Sequence, residues 1–151
     1  MTNDRDVLNA AQERIRDAFL PCQQFPNMNT EDIKVVRGAA WQRIQELGAP
    51  TDAPGDRLYI LSFMGPVAYI KPGRTTNLLQ RIHRHEKDAL VHRAFLFDAW
   101  VSRPYPNARR WEEKTLISLR CLPGVVSVGE HFYDLDFETA VKIAQDERSV
   151  L

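Results

Sequence analysis

The residues best suited to chemistry lie between Tyr59 and Glu112. Arg81 and His85 stand four apart in RIHRHEK, so a helix would project both from one face, one turn from each other. A guanidinium and an imidazole side by side repel unless they meet an anion, and a phosphodiester is such an anion. The plainer reading of the pair is the solvated face of a charged helix. Upstream are Tyr59 in an apolar run and Lys71 beside Gly73. Downstream, ARRWEEKTLISLR offers two carboxylates, Glu112 and Glu113. On a helical wheel Glu112 has Ala108, Trp111, Leu116 and Leu119 as neighbours, whereas Glu113 has Arg109, Glu112, Ile117 and Arg120. The wheel therefore turns Glu112 inward. A buried carboxylate needs a cation or hydrogen-bond donors, and Arg81, Lys71 or a divalent metal could supply the charge.

The charge distribution singles out the same stretch. The 151-residue chain has 20 basic and 20 acidic side chains. Residues 57–121, however, hold twelve Lys or Arg against five acids, a net of +7, and three of the four histidines. Residues 1–56 are net −3 and residues 122–151 net −4. Local potential governs contact with a polyanion, so a basic middle segment is compatible with a phosphate backbone despite overall neutrality. With 44% hydrophobic residues the chain has material for a core. The apolar stretch 58–70 is short and broken by Ser62, Gly65 and Pro66, which argues against a membrane span. Cys22 and Cys121 lack metal-ligand or framework spacing, and the polar start MTNDRDV is unlike a signal peptide. These features lead us to expect a cytoplasmic protein with no membrane partner.

The elements that must position these residues follow from periodicity. Val7, Leu8, Ala11, Ile15, Ala18 and Phe19 keep helical spacing from about Asp4, and Pro21, Pro26 and Asn27 predict the loop that ends it. Thr30 is the expected cap of a second helix with the stripe Ile33, Val36, Ala40, Ile44 and Leu47, closed by Gly48. APTDAPGD (49–56) reads as a linker, dividing an N-terminal helical region (1–50) from a second domain (57–151). RLYILSF and VAYIK predict a β-hairpin turned at Gly65-Pro66, followed by a loop over PGRTT. A helix from about Asn77 to Lys87, a third strand over 94–101, and a helix from Asn107 to Leu119 come next. VVSV reads as a short extended piece, and Asp136 caps a final helix. The order predicts an α+β fold around a three-stranded antiparallel sheet. Trp41, Trp100 and Trp111 read as core, and His83, His92 and His131 show no metal-ligand spacing.

The second half of the chain resembles the GIY-YIG nuclease family over about residues 57–137. LYI (58–60) matches the first motif without its glycine, and KPGRT (71–75) falls on the second. Arg81 follows Gly73 by eight positions and His85 follows by four more, the family's spacing for its catalytic arginine and histidine. ARRWEE and the later GEHF resemble the phage-type branch, whose members end in a GEWF-like turn. Two features depart from the pattern. Lys71 and Pro72 occupy the second motif where a tyrosine and a β-branched residue are usual, with Tyr69 two positions earlier on the same strand face. The family's Leu-Ile after its glutamate would select Glu113, where the wheel selects Glu112.

The resemblance implies a GIY-YIG-like fold and a metal-dependent endonuclease acting on DNA. It implies Tyr59, Lys71, Arg81, His85 and Glu112 as catalytic residues, and Tyr69, Gly73 and Arg74 as substrate contacts. Glu112 would hold one Mg²⁺ or Mn²⁺, which prefers oxygen ligands and keeps several waters. Tyr59, with Lys71 lowering its pKa or orienting the water, would serve as general base. Arg81 would fork onto the phosphate and His85 would position water or carry a proton. Glu130 matches the GEWF-like glutamate, with no derivable role beyond capping or bracing. The N-terminal helices are expected to dock on the second domain, to recruit a protein partner or second copy, or to contact DNA, their acidic balance arguing against the last. The altered KPG motif keeps a second expectation open: a module of this fold that binds nucleic acid or protein without cutting.

Overall fold

A computed structural model describes residues 4–19 and 29–151. Pro21, Pro26 and Asn27, the expected helix-breaking loop, lie outside those residues, as does Cys22. The described elements are α1 (Asp4–Ala18), α2 (Thr30–Leu47), β1 (Arg57–Met64), β2 (Tyr69–Thr75), α3 (Leu78–Val91), β3 (Phe95–Val101), α4 (Ala108–Arg120), β4 (Val126–Val128), β5 (His131–Tyr133) and α5 (Phe137–Ser149). The strands form one antiparallel sheet in the order β3-β1-β2-β5-β4.

The fold is therefore α+β as expected, but the sheet has five strands where three were predicted. The two extra strands are three residues each, too short to display a period-two pattern. Val126 pairs with Tyr133 and Val128 with His131, which leaves Gly129 and Glu130 as a two-residue hairpin loop. Gly129 has φ +62°, the left-handed value such a tight connection requires at its first position. GEHF is thus a turn followed by the start of a strand. The hairpin meets the rest of the sheet at one register pair, Ile70 with Phe132. Phe132 is completely buried, and the Arg120 guanidinium lies 5.8 Å from its ring centre.

A second correction concerns PGRTT. Residues 72–75 belong to β2, with Gly73 opposite Tyr59 and Pro72 opposite Ile60. Leu58 donates its amide to Ser102 Oγ and its carbonyl accepts from the Ser102 amide, so both groups point toward β3. By strand alternation Ile60 does the same, and Pro72 opposite it directs its ring nitrogen away from β1. On that outer side β5 pairs only at Ile70, so the missing N–H of Pro72 deprives no ladder of a donor.

The two sheet faces carry separate cores. Tyr59, Leu61, Phe63 and Tyr69 pack with Ala40 and Ile44 of α2 and with Leu78, Ile82 and Ala89 of α3. Leu58, Ile60, Ile70 and Trp100 pack with Trp111 and Leu119 of α4 and Ala140 and Ala144 of α5. Trp111 donates its indole N–H to the Ala144 carbonyl at 2.6 Å, locking α4 to α5. Helix α2 runs along β3, and α1 lies on α2 through Ala11, Ile15 and Val36 and the bidentate Arg14–Asp32 pair. The buried Arg57 guanidinium donates to the carbonyls of Gly48 and Pro50, tying the start of residues 49–56 to the sheet. The cap of α2 is Asn29, whose side chain accepts from the Glu31 amide, so Thr30 is the first helical residue instead of the expected cap. Asn107 occupies the N-cap of α4 but makes no side-chain capping bond, whereas Asp136 caps α5 through the Thr139 amide. No helix among the described residues is long and apolar enough to cross a membrane.

Because the Phe132 ring is completely buried in the core that joins β5 to the sheet, Phe132→Ala should lower unfolding free energy by about 3–5 kcal/mol. Urea denaturation measures this, and a loss below about 1 kcal/mol would show that the β4–β5 hairpin is held by other contacts.

Candidate active site

Strand register brings the first part of the site together. Tyr59 lies opposite Gly73, Leu61 opposite Lys71 and Phe63 opposite Tyr69, all on the face covered by α2 and α3. A Cβ at Gly73 would overlap the Tyr59 hydroxyl, so the phenol lies directly across the glycine. Any side chain at 73 would evict it. From there the hydroxyl reaches His85 on α3, with Oη and Nε2 2.7 Å apart. Helix α3 begins at Asn77, whose side chain caps the Gln80 amide, and buries Leu78, Ile82 and Ala89 against the sheet. That stripe leaves Arg81 and His85 at the margin of the buried face, His85 half-buried and Arg81 exposed. Among the described residues the Arg81 side chain has no hydrogen bond or ion pair, yet its charge acts on both Tyr59 and His85.

These surroundings keep both members of the Tyr59–His85 pair neutral. Burial raises the Tyr59 pKa above the ordinary phenol value; Arg81 opposes the rise, while Glu130 and Glu112 add to it. Burial pushes the His85 imidazole down to about 4, with Lys71 and Arg81 pushing the same way and Asp88 and Glu130 opposing. A neutral imidazole beside a neutral phenol is a proton acceptor held at hydrogen-bond distance.

Glu112 enters from the opposite sheet face. Helix α4 presents it half-buried toward Arg74, the Glu112 Oε1 to Arg74 Nε separation being 3.8 Å, beyond a hydrogen bond. Glu113 is exposed and faces Arg109 at 3.6 Å. The placement follows the helical wheel: Trp111, Thr115 and Leu119 are buried beside Glu112. Burial raises the Glu112 pKa, Glu130 and Asp56 reinforce the rise, and Arg74 and Lys71 counter it. Asp56 accepts from Arg74 Nη1 at 2.6 Å through Oδ2, whereas its Oδ1 is buried without a partner among the described residues. Half-buried carboxylate oxygens, one of them orphaned, suit a hard divalent cation such as Mg²⁺ or Mn²⁺. Among the described residues no three His, Cys, Asp or Glu side chains form a ligand cluster by themselves. An ion at Glu112 would draw its remaining ligands from water and substrate, as Mg²⁺ commonly does.

Three of the expected site residues have partners of their own among the described residues. The Lys71 ammonium is buried and paired with Glu130 Oε2 at 2.6 Å. That pair holds the Glu130 pKa below the ordinary carboxylate value. Glu130, with no derivable role from sequence, is thus the anchor of Lys71, carried there by the Gly129-Glu130 turn. Tyr69 is buried in a ring stack between Phe63 and His131. Arg74, expected to contact substrate, is engaged by Asp56 and faces Glu112. Trp100 and Trp111 are core, while Trp41 is half-buried, donates to Glu86 at 2.7 Å and stacks on His83.

No protein-family model matches the chain, and no curated protein or solved structure matches it either.

The shielded Tyr59–His85 pair has a measurable signature. The His85 pKa, about 4 against an ordinary 6.5, means the unfolded chain binds this proton more readily than the native one. Its contribution to stability is therefore full above pH 6.5 and is lost as pH falls through 4. Imidazole NMR should show His85 titrating near pH 4 in the native protein. Gly73→Ala should displace the phenol, move that titration up toward 6.5, and lower stability by about 1–3 kcal/mol from overpacking. An unaltered His85 titration in Gly73→Ala would contradict the close approach.

Proposed function

We propose that the chain is a metal-dependent endonuclease of the GIY-YIG type, hydrolysing DNA phosphodiester bonds by nicking or cleavage. What supports the reading most is one juxtaposition: a neutral Tyr59–His85 hydrogen-bonded pair within reach of the charge of an exposed Arg81 that has no partner among the described residues. Glu112 lies within electrostatic reach across the β2 edge. Hydrolysis of a phosphodiester needs a deprotonated water, a counter-charge for the phosphorane and help for the leaving oxygen. The protein has a residue for each need.

In this reading Arg81 forks onto non-bridging oxygens of the scissile phosphate. A water held by the Tyr59 oxygen attacks phosphorus, and its proton passes to that oxygen as the phenol proton passes to His85 Nε2. The imidazole can accept because burial and the neighbouring cations keep it unprotonated at neutral pH. The tyrosine remains a neutral phenol throughout, consistent with its raised pKa, and acts as a relay instead of a stored phenolate. The P–O bond to the 3′ oxygen breaks and that oxygen takes a proton from solvent, while His85 returns its proton to solvent, leaving a 5′-phosphate and a 3′-hydroxyl. Glu112 would hold Mg²⁺ or Mn²⁺, which when bound supplies charge stabilisation at the phosphorane and the departing oxygen. Lys71, fixed by Glu130, keeps positive potential beside the site without being consumed as an acid. One such site cuts one strand, so double-strand cleavage would require a second copy or a second encounter. The acidic N-terminal helices are the surface we assign to a protein partner or that second copy.

Supercoiled plasmid incubated with Mg²⁺ should be nicked, and Arg81→Ala or Glu112→Gln should each reduce the rate by about 10²–10³-fold. Gel conversion of supercoiled to open-circular DNA measures it. Absent nicking with retained, salt-sensitive DNA binding would replace this reading with that of a non-cutting nucleic-acid-binding module.

A further inference from the structure

Three rings stand in a column next to the candidate active site. Phe63 stacks on Tyr69 with centroids 5.0 Å apart and planes 18° apart, and Tyr69 stacks on His131 at 4.3 Å and 4°. Phe63 and His131 make no ring contact with each other among the described residues, so they occupy opposite faces of Tyr69. Exposure rises along the column, from 1% at Phe63 to 6% at Tyr69 to a half-buried His131. The outer end has an aromatic rim: the exposed His92 is edge-on to His131 at 6.3 Å, and Tyr133 is tilted against it at 6.4 Å.

The position of this column carries the argument. His131 directly follows Glu130, whose carboxylate grips Lys71. Lys71 in turn lies close enough to both His85 and His131 to disfavour a proton on either. Along β2, Tyr69 beneath His131, Lys71 and Gly73 beneath the Tyr59 phenol follow one another at alternate positions on one strand face. A planar, neutral π-face fixed from behind by two buried rings, adjoining positive charge, matches a nucleotide: ring on the face, phosphate by the cation. A base inside a duplex has both faces covered by its neighbours, so only an unpaired base can take the position.

We propose that an unpaired nucleobase adjoining the scissile phosphate stacks on His131, so that the preferred substrate is nucleic acid that is single-stranded or locally opened at the cut. This rests on the nuclease reading of the Tyr59–His85 and Arg81 site. Phe63 and Tyr69 act as positioning residues that hold the imidazole plane.

The test uses the full chain without metal and oligonucleotides in which one 2-aminopurine is moved position by position, as single strand, bubble and duplex. The wild-type protein should quench fluorescence at one position in the single strand and in the bubble, and should bind both more tightly than the duplex. His131→Ala should lose that quenching and weaken binding about tenfold. His131→Phe should restore both, because stacking requires a planar face and no proton. Equal quenching and affinity in wild type and His131→Ala, or equal affinity for duplex and bubble, would overturn the proposal. The two readings fail separately. Plasmid nicking without position-specific quenching removes the stacking site alone, and quenching without nicking removes the nuclease alone. Failure to bind any oligonucleotide removes the stacking site together with its premise.

Discussion

The site depends on the absence of one side chain. Gly73 stands in the middle of a strand, where glycine ordinarily weakens the ladder and contributes nothing to packing. Here its bare Cα is the surface on which the Tyr59 phenol lies. The cross-strand pair Tyr59–Gly73 makes the hairpin register and the phenol position a single event: slipping β2 by one residue would put Pro72 or Arg74 under the ring. The phenol direction then determines where α3 must place an acceptor. His85 meets it because Leu78, Ile82 and Ala89 set the rotation of that helix on the sheet.

Chemistry from both sheet faces is able to meet because β2 is left uncovered along half its length. Tyr69, Lys71 and Gly73 alternate with Ile70, Pro72 and Arg74, so the first set looks toward α3 and the second toward α4. A strand paired on both sides would keep those sets apart. Here β5 contacts β2 at Ile70 and then turns away through Phe132, and the open edge beyond it lets Arg74 and Glu112 approach the rim that Lys71 and Tyr59 share. The proline in that stretch keeps the edge open. With no amide to offer outward, Pro72 cannot recruit another strand there. The short β4–β5 hairpin thus has two functions, closing the sheet as far as Ile70 and suspending Glu130 over Lys71.

How much of this could be read from the chain alone follows from the range of each determinant. Glu112 was legible because a wheel needs only its own helix: Ala108, Trp111 and Leu119 name the buried face without reference to anything distant. Arg81 and His85 were legible for the same reason. The strand character of PGRT was not, since Pro and Gly spell a turn unless one knows that Pro72 faces an edge with no partner. The β4–β5 hairpin did leave a local trace, a Gly-Glu pair between VSV and HFY, but three-residue strands carry no periodicity to confirm it. The partner of Lys71 lies 59 residues away and that of Arg74 18 residues away, separations at which sequence spacing carries no geometric information.

The direction of the charge shifts closes the physical argument. Burial drives the Glu112 carboxyl upward and the His85 imidazole downward, so each is moved toward its uncharged form. Lys71 and Arg74, by contrast, are already compensated by Glu130 and Asp56. Arg81 is exposed with no partner among the described residues, whereas Asp56 Oδ1 and Arg74 Nε are each buried there without a hydrogen bond and burial raises the nearby Glu112 pKa. An isolated anion would satisfy Arg81 but repel Glu112; an isolated cation would satisfy Glu112 but repel Arg81. In the proposed reading, a phosphate on the α3 side with a divalent cation on the α4 side would relieve both at once.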